Sequence, residues 1–293
     1  MADPEEPATL KLVVSYDGSG FAGSQIQPGQ RTVQEELEQA LSRLFKRETR
    51  ITLAGRTDQG VHAAGQVATL LDCRPDLENE TIGRALNASL PDDVAVVSVE
   101  RVETSFHARF DAKWREYRYR LWIGHREPLA RQQVWLAPGG LNADLIDEAA
   151  SALVGEHDFG AFAGGGQGVP WSVRHERPRG TVRRVFCSEL VSIDPWWREA
   201  DGQGQLLEYR IAADGFLPRM VRNIAGALVE IGRGVQPPSW IEELLALRDR
   251  RYAAGTVPPQ GLILWRVGYG TERPPERAEL EQCGRGPGTE EQG

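Results

Sequence analysis

Directly after a short apolar run, the segment Ala54-Gly55-Arg56-Thr57-Asp58-Gln59-Gly60-Val61-His62 sets an arginine and an aspartate two residues apart between glycines. Glycine at such points lets the backbone turn sharply and approach a ligand, and a carboxylate held there can serve as a nucleophile or a general base. The same composition fits an Asx-type turn whose Arg56 and Asp58 are solvated, and local composition does not separate the two readings. Metal chemistry is not expected. The three cysteines, Cys73, Cys187 and Cys283, are widely spaced and form no CxxC, and the five histidines show no HExxH or other ligand spacing. No disulfide framework is expected either.

The elements that must hold this segment can be read from periodicity. Leu10, Leu12, Val14 and Tyr16 alternate along a strand that ends in the turn Asp17-Gly18-Ser19-Gly20. Thr32-Val33-Gln34-Glu35 is a capping box, and the helix it opens carries Val33, Leu37, Leu41, Leu44 and Phe45 on one face. Strands are predicted over 51–54, 66–71, 94–102 and 113–123. In the last of these, Arg115, Tyr117, Tyr119, Leu121 and Ile123 share one face, and Trp114, Glu116, Arg118, Arg120 and Trp122 the other. A second round follows, with a helix over 143–154 capped by Asn142 and strands over 183–193 and 205–213. A helix starting near Pro218 presents Val221, Ile224, Leu228 and Ile231 and stops at Gly232, a capping box at Ser239 opens another, and 262–267 can close a sheet.

These recurrences predict an α+β protein of two related halves, with mixed, mainly antiparallel sheets flanked by helices. The expected division is an acidic tail at 1–9, an N-terminal half at 10–106, a C-terminal half at 107–270 and a disordered tail at 271–293. The loop 160–180 is expected to be mobile before a ligand binds. No run of eighteen apolar residues occurs, and the first residues are acidic where a signal peptide would be basic and then apolar, so a soluble cytoplasmic protein is expected, with no membrane partner.

The net charge of −8 argues at first against a nucleic-acid partner. Its distribution reverses the argument, because residues 1–9 and 271–293 together supply −6 of it. Residues 105–126 and 171–187 each carry about +4, the latter through Arg174, Arg177, Arg179, Arg183 and Arg184 against Glu176. Such a stretch is either an RNA-contacting surface or a solvated charged loop.

Taken together with YDGSGFAG, RTVQEELEQAL, NASLPDDV, FHARFDAKWREYRYRL, LVGEHDFGAF and MVRNIAGALVEIGRG, the segment AGRTDQGVHAAGQVA resembles the family typified by bacterial tRNA pseudouridine synthase A. Seven ordered blocks carry the resemblance over roughly residues 10–270. It implies two α+β halves about a quasi-twofold axis with an RNA cleft between them, a homodimer, and isomerisation of uridine at positions 38–40 of the tRNA anticodon stem-loop. The reaction breaks the N1–C1′ bond, turns the base and rejoins it through C5, and it implies no cofactor. By the same resemblance Asp58 matches the catalytic aspartate and Arg56 the arginine that holds the target nucleotide out of the stack. Tyr117 matches the base-stacking tyrosine and Arg222 the basic residue that pairs with the aspartate.

Each assignment has a physical basis: an aromatic face replaces the stacking a flipped uracil loses, and a guanidinium keeps a carboxylate ionised and oriented. By local pattern alone Tyr117 fits a core tyrosine and Arg222 a helix-surface arginine. The chain departs from the family at Ser24 and Ile26, where a Trp and an Arg are usual, and at Ala163, where a basic residue is common. Arg179, Arg183 and Arg184 are candidate replacements for those RNA contacts. Two other functions fit the sequence less well. A catalytically silent tRNA chaperone would not need Asp58, Tyr117 and Arg222 together, and a hydrolase using Asp58 would need a second carboxylate or a Ser/His pair at a recognisable spacing.

Overall fold

A computed structural model of the chain describes residues 8–72, 74–164, 180–197 and 204–277. The first elements are β1 (Ala8–Tyr16), α1 (Val33–Phe45), β2 (Thr52–Leu53), β3 (His62–Leu71), α2 (Asn79–Asn87) and β4 (Val94–Glu103). They are followed by β5 (Ala112–Gly124), β6 (Trp135–Leu136), α3 (Ala143–Ser151), β7 (Gly155–Asp158), β8 (Val182–Ile193) and β9 (Gly204–Ala213). The last are α4 (Met220–Gly232), α5 (Trp240–Leu247) and β10 (Leu262–Tyr269). By contacts the chain divides into Met1–Glu116 with Pro259–Glu272, and Tyr117–Pro258 with Arg273–Gly293. The division falls inside β5, and the first unit includes residues 259–270, read from the sequence as part of the second half, and 271–272, read as the start of the tail.

In the first unit the strand order is β4-β1-β3-β10, with β2 on β3. β1 runs antiparallel to both β3 and β4, and the start of β10 pairs in parallel with the start of β3, Ile263 opposite His62. The period-two reading of β1 holds: Leu10, Leu12 and Val14 are fully buried and Tyr16 nearly so. α1 also begins as its capping box predicts, with the Thr32 side chain accepting from the Glu35 N–H at 3.3 Å, and Val33, Leu37 and Leu41 are buried. The Glu38 carboxylate, buried on this helix, accepts from the Ile51 N–H at 3.0 Å and from Arg50 Nη1 at 2.9 Å, so α1 fixes the chain as it enters β2. α2 has no sequence reading to match. Glu78 gives it no side-chain cap, and Ile82 and Leu86 are its only buried apolar residues, too short a stripe to stand out.

In the second unit the order is β5-β9-β8-β7, with β6 parallel to β5. β8 pairs antiparallel with β7 and β9. α3 packs on β8 and against α4. Tyr119, Tyr209 and Ile211 are buried together with Ile146 of α3 and Ile224 and Leu228 of α4. The Ser188 and Tyr209 hydroxyls share a buried hydrogen bond of 3.0 Å between β8 and β9.

The α+β class and the predominance of antiparallel pairing are thus as the sequence predicts. A strand, helix, short strand, long strand order occurs in both units, as β1-α1-β2-β3 and β5-α3-β7-β8, and in each the short strand pairs antiparallel with the long one. The second unit also inserts β6 after β5 and adds β9 beside β8. The capping box expected at Ser239 does not form: its backbone is already helical (φ −60°, ψ −17°) and its side chain makes no cap hydrogen bond. The loop 160–180 begins as a 3-10 turn at Gly160–Phe162, and residues 165–179 lie outside the described residues. Of the expected tail at 271–293, residues 271–277 are described, and Arg277 pairs with Asp147 and donates to Ser151 Oγ at 2.6 Å. Residues 278–293, like Cys73, lie outside the described residues.

Candidate active site

The first unit builds the Asp58 loop from polar groups that are themselves buried. Thr57 is the anchor. Its N–H donates to Ser24 Oγ at 2.9 Å, its carbonyl accepts from the Ser24 N–H at 3.1 Å, and its hydroxyl lies 2.8 Å from the Tyr16 hydroxyl. The Gln66 amide clasps Gly55, donating to its carbonyl at 2.9 Å and accepting from its N–H at 3.3 Å, and also donates to Tyr16 Oη at 3.4 Å. Burial pushes the Tyr16 phenol up to about 12 against the pull of its bonds to Thr57 and Gln66, so it stays neutral.

With Thr57 turned inward, its neighbours face the solvent side of the chain: Arg56 is exposed and Asp58 half-buried. The Asp58 carbonyl accepts from the Val61 N–H at 3.1 Å, closing a turn in which Gly60 adopts φ +77°, a conformation costly for other residues. Behind this turn Gly18 approaches so closely that a Cβ there would lie 2.0 Å from the Val61 carbonyl oxygen. His62, nearly fully buried, ends the loop. Its Nδ1 meets the Gly18 N–H at 3.1 Å and lies 3.2 Å from Asp17 Oδ1, and its Nε2 lies 3.2 Å from the Gln260 carbonyl oxygen. A carboxylate and a guanidinium are therefore presented on a frame of buried polar groups.

Tyr117 and Arg222 belong to the second unit. Tyr117 is 8% exposed, and its ring meets Phe216 edge-on with centroids 4.9 Å apart. Arg222, in the first turn of α4, donates from Nε to the Val257 carbonyl at 2.8 Å, while the Val257 N–H donates to the Arg222 carbonyl at 3.4 Å. Its charge reaches Tyr119, whose phenol burial holds far above its ordinary value and which donates to the Pro258 carbonyl at 2.8 Å. The 253–258 segment that receives Arg222 is locked to α4 by Asn223. That fully buried amide donates to the Phe162 carbonyl at 2.7 Å and accepts from Thr256 Oγ1 at 2.6 Å and from Arg250 Nη2 at 3.2 Å.

The proposed RNA contacts on β8 separate. Arg183 is 4% exposed, with its guanidinium donating to the Gly180 carbonyl at 3.1 Å and the Val182 carbonyl at 2.6 Å. Arg184 is exposed, over the Phe186 ring at 5.8 Å. Arg179 lies outside the described residues. Of the departures noted in the sequence, Ile26 is exposed and Ala163 buried, and Ser24 is fully buried as the hydrogen-bond partner of Thr57. Ser24, Tyr16, Gln66 and Asn223 carry structural weight that the sequence does not mark. The one available sign was that a polar residue occupies a place in an otherwise apolar, glycine-rich context.

Among the described residues no group of three or more His, Cys, Asp or Glu could hold a metal ion, and no helix is long and apolar enough to cross a membrane.

The chain was compared with known proteins. A family model described as tRNA pseudouridine synthase matches residues 12–111 and 149–270. Proteins named tRNA pseudouridine synthase A are similar over almost the whole chain. That of Geobacillus kaustophilus is 41% identical over 265 residues, covering 90% of this chain and 95% of its own. That of Solidesulfovibrio magneticus is 44% identical over 270 residues, covering 90% and 92%. That of Pseudothermotoga lettingae is 40% identical over 258 residues, covering 88% and 98%. A solved Cbf5-Nop10-Gar1 complex is 14% identical over 75% of this chain and 54% of that chain, with a TM-score of 0.28, too slight a likeness to bear on the fold.

Proposed function

This chain belongs to the tRNA pseudouridine synthase family and isomerises uridine to pseudouridine in tRNA, and on that premise we propose that Asp58 is the carboxylate that drives the reaction. The observation that supports this reading is the frame around Thr57: three polar contacts, to Ser24 and Tyr16, fix the residue between Arg56 and Asp58, and these two remain accessible. A loop that only turned the chain would need no such frame.

The isomerisation conserves every atom. The N1–C1′ bond breaks, the C5–C1′ bond forms, C5 gives up its proton and N1 gains one. Asp58 acts on the ribose or the base as a carboxylate, Arg56 holds the displaced nucleotide through its charge, and Tyr117 receives the base against its ring. Arg222 keeps the carboxylate ionised and oriented. Arg179, Arg183 and Arg184 contact phosphates, and for Arg183 that contact requires release from the Gly180 and Val182 carbonyls. The target is the anticodon stem-loop at positions 38–40, the enzyme works as a homodimer, and its location is the cytoplasm, where tRNA is matured. These three statements rest on the family resemblance.

Asp58→Asn tests the central claim. It should abolish pseudouridine formation while tRNA affinity stays within about tenfold, because one carboxylate contributes little to an interface held by phosphate contacts. Measurable turnover by this variant excludes Asp58. Mapping pseudouridine in tRNA from cells with and without the gene tests the anticodon assignment, and sedimentation tests the dimer.

A further inference from the structure

We propose that His107, Arg109 and Phe110, in the turn before β5, form a stacking platform for an unpaired nucleobase of the tRNA other than the target uridine. The inference rests on the tRNA reading above and extends it to a surface of the first unit. Phe110 is 51% exposed, an unusual state for so large an apolar ring, and it stacks on the His107 imidazole with centroids 4.3 Å apart and planes 28° from parallel. The Arg109 guanidinium stands 5.9 Å from the Phe110 centroid and is itself exposed. An aromatic face bordered by a cation suits a nucleobase attached to a phosphate chain.

This turn is rigid before any ligand arrives. His107 Nδ1 accepts from the N–H groups of Arg109 and Phe110, both at 3.2 Å, and Asp111 Oδ2 accepts from the His107 N–H at 2.7 Å. Ala108, fully buried, ties the turn to the sheet: its carbonyl accepts from Tyr269 Oη at 2.7 Å and its N–H donates to Thr69 Oγ1 at 3.4 Å. A preformed platform loses little entropy on binding.

The turn also adjoins the Asp58 loop. Arg115 Nη2 donates to the Ala54 carbonyl and to the Arg109 carbonyl, at 2.9 Å each, so a single nitrogen bridges the start of the catalytic loop and the platform. Arg56, two residues beyond Ala54, is exposed as well. A nucleotide neighbouring the uridine at Asp58 therefore finds an exposed aromatic ring and the exposed Arg109 on a turn tied to the start of that loop.

The test compares full-length wild-type protein with Phe110→Ala, Phe110→Trp and Arg109→Ala, using an unmodified tRNA transcript that the wild-type enzyme modifies. Phe110→Ala should weaken tRNA binding roughly 5- to 150-fold, the range that stacking of one base carries. The slope of log affinity against log salt should stay at the wild-type value, because no phosphate contact is lost. Phe110→Trp should restore binding to within about twofold of wild type, whereas Arg109→Ala should flatten the slope by about one. Binding by Phe110→Ala within twofold of wild type, with thermal unfolding unchanged, overturns the platform. So does a shift of oligomeric state in that variant, which would make Phe110 a protein contact. Failure of wild-type protein to form any pseudouridine would instead overturn the assigned reaction, which these binding ratios do not test.

Discussion

Ser24 and Thr57 hold each other by two hydrogen bonds, Thr57 N–H to Ser24 Oγ at 2.9 Å and Ser24 N–H to the Thr57 carbonyl at 3.1 Å, immediately before Asp58, the proposed catalytic carboxylate. Ser24→Ala removes one acceptor and leaves the buried Thr57 N–H unsatisfied, a local cost of about 1–3 kcal/mol. The loop can relieve that cost only by moving, and a displacement near 1 Å costs catalysis up to about a hundredfold. Turnover should therefore fall at least tenfold with tRNA affinity nearly unchanged. Single-turnover assays beside binding curves check this, and a wild-type rate would show that Tyr16 and Gln66 suffice to hold the loop.

Tyr117 stands edge-on to Phe216 at 4.9 Å. Tyr117→Phe keeps the ring and should keep RNA binding, whereas Tyr117→Leu should lose about 1–3 kcal/mol of base stacking. Equal activity of the leucine and tyrosine enzymes would leave Tyr117 a packing residue only.

Arg222 donates from Nε to the Val257 carbonyl at 2.8 Å, and a guanidinium can meet a carboxylate through two nitrogens at once. Arg222→Lys keeps the charge and loses the two-pronged geometry, so activity should drop about tenfold or more with little change in melting temperature. A wild-type rate would assign Arg222 to the α4 surface.

Arg183 and Arg184, adjacent on β8, should respond differently. Arg184→Ala should flatten the salt dependence of tRNA binding by about one unit, as loss of a phosphate contact does. Arg183→Ala removes a buried guanidinium bonded to the Gly180 and Val182 carbonyls, and if that is its main role it should lower the melting temperature with the slope intact. Equal flattening by both variants would mean that Arg183 is released to the RNA on binding.

Glu208, 1% exposed, is met by Arg118 at 3.1 Å, Arg120 at 2.9 Å and Arg210 at 2.8 Å. Burial raises its carboxyl pKa, but the arginines outweigh that and hold it below the ordinary value of 4.5. Because the folded-state value is the lower one, its stabilisation is present above the unfolded-state value and is lost as pH falls through the folded-state value. Glu208→Gln should cost about 3 kcal/mol near neutral pH by leaving buried cations under-compensated, and the loss relative to wild type should shrink in acid. Thermal melts from pH 7 to pH 3 follow both limbs, and a constant difference across that range would mean that Glu208 does not titrate with folding.

The local periodicities of this chain were enough to define β1, α1 and the faces of β5, because burial every second or every third to fourth residue is written into neighbouring positions. The turn that carries Asp58 was legible too. Glycines around Arg56 and Asp58 mark a sharp turn whatever surrounds it, although only the family resemblance gave Asp58, Tyr117 and Arg222 their roles. The tertiary structure decided what supports the loop. Ser24 reaches Thr57 across 33 residues and Arg115 reaches Ala54 across 61, and no local pattern specifies hydrogen bonds of that span. The same holds for β10, whose apolar run fits either half and which joins the first unit by pairing with β3 at His62, and for α2, whose two buried residues are too few to announce a helix. Ser239 shows the converse: its capping box is present in the sequence, yet its backbone is already helical and its side chain takes no part, because a cap forms only where the entering chain is extended.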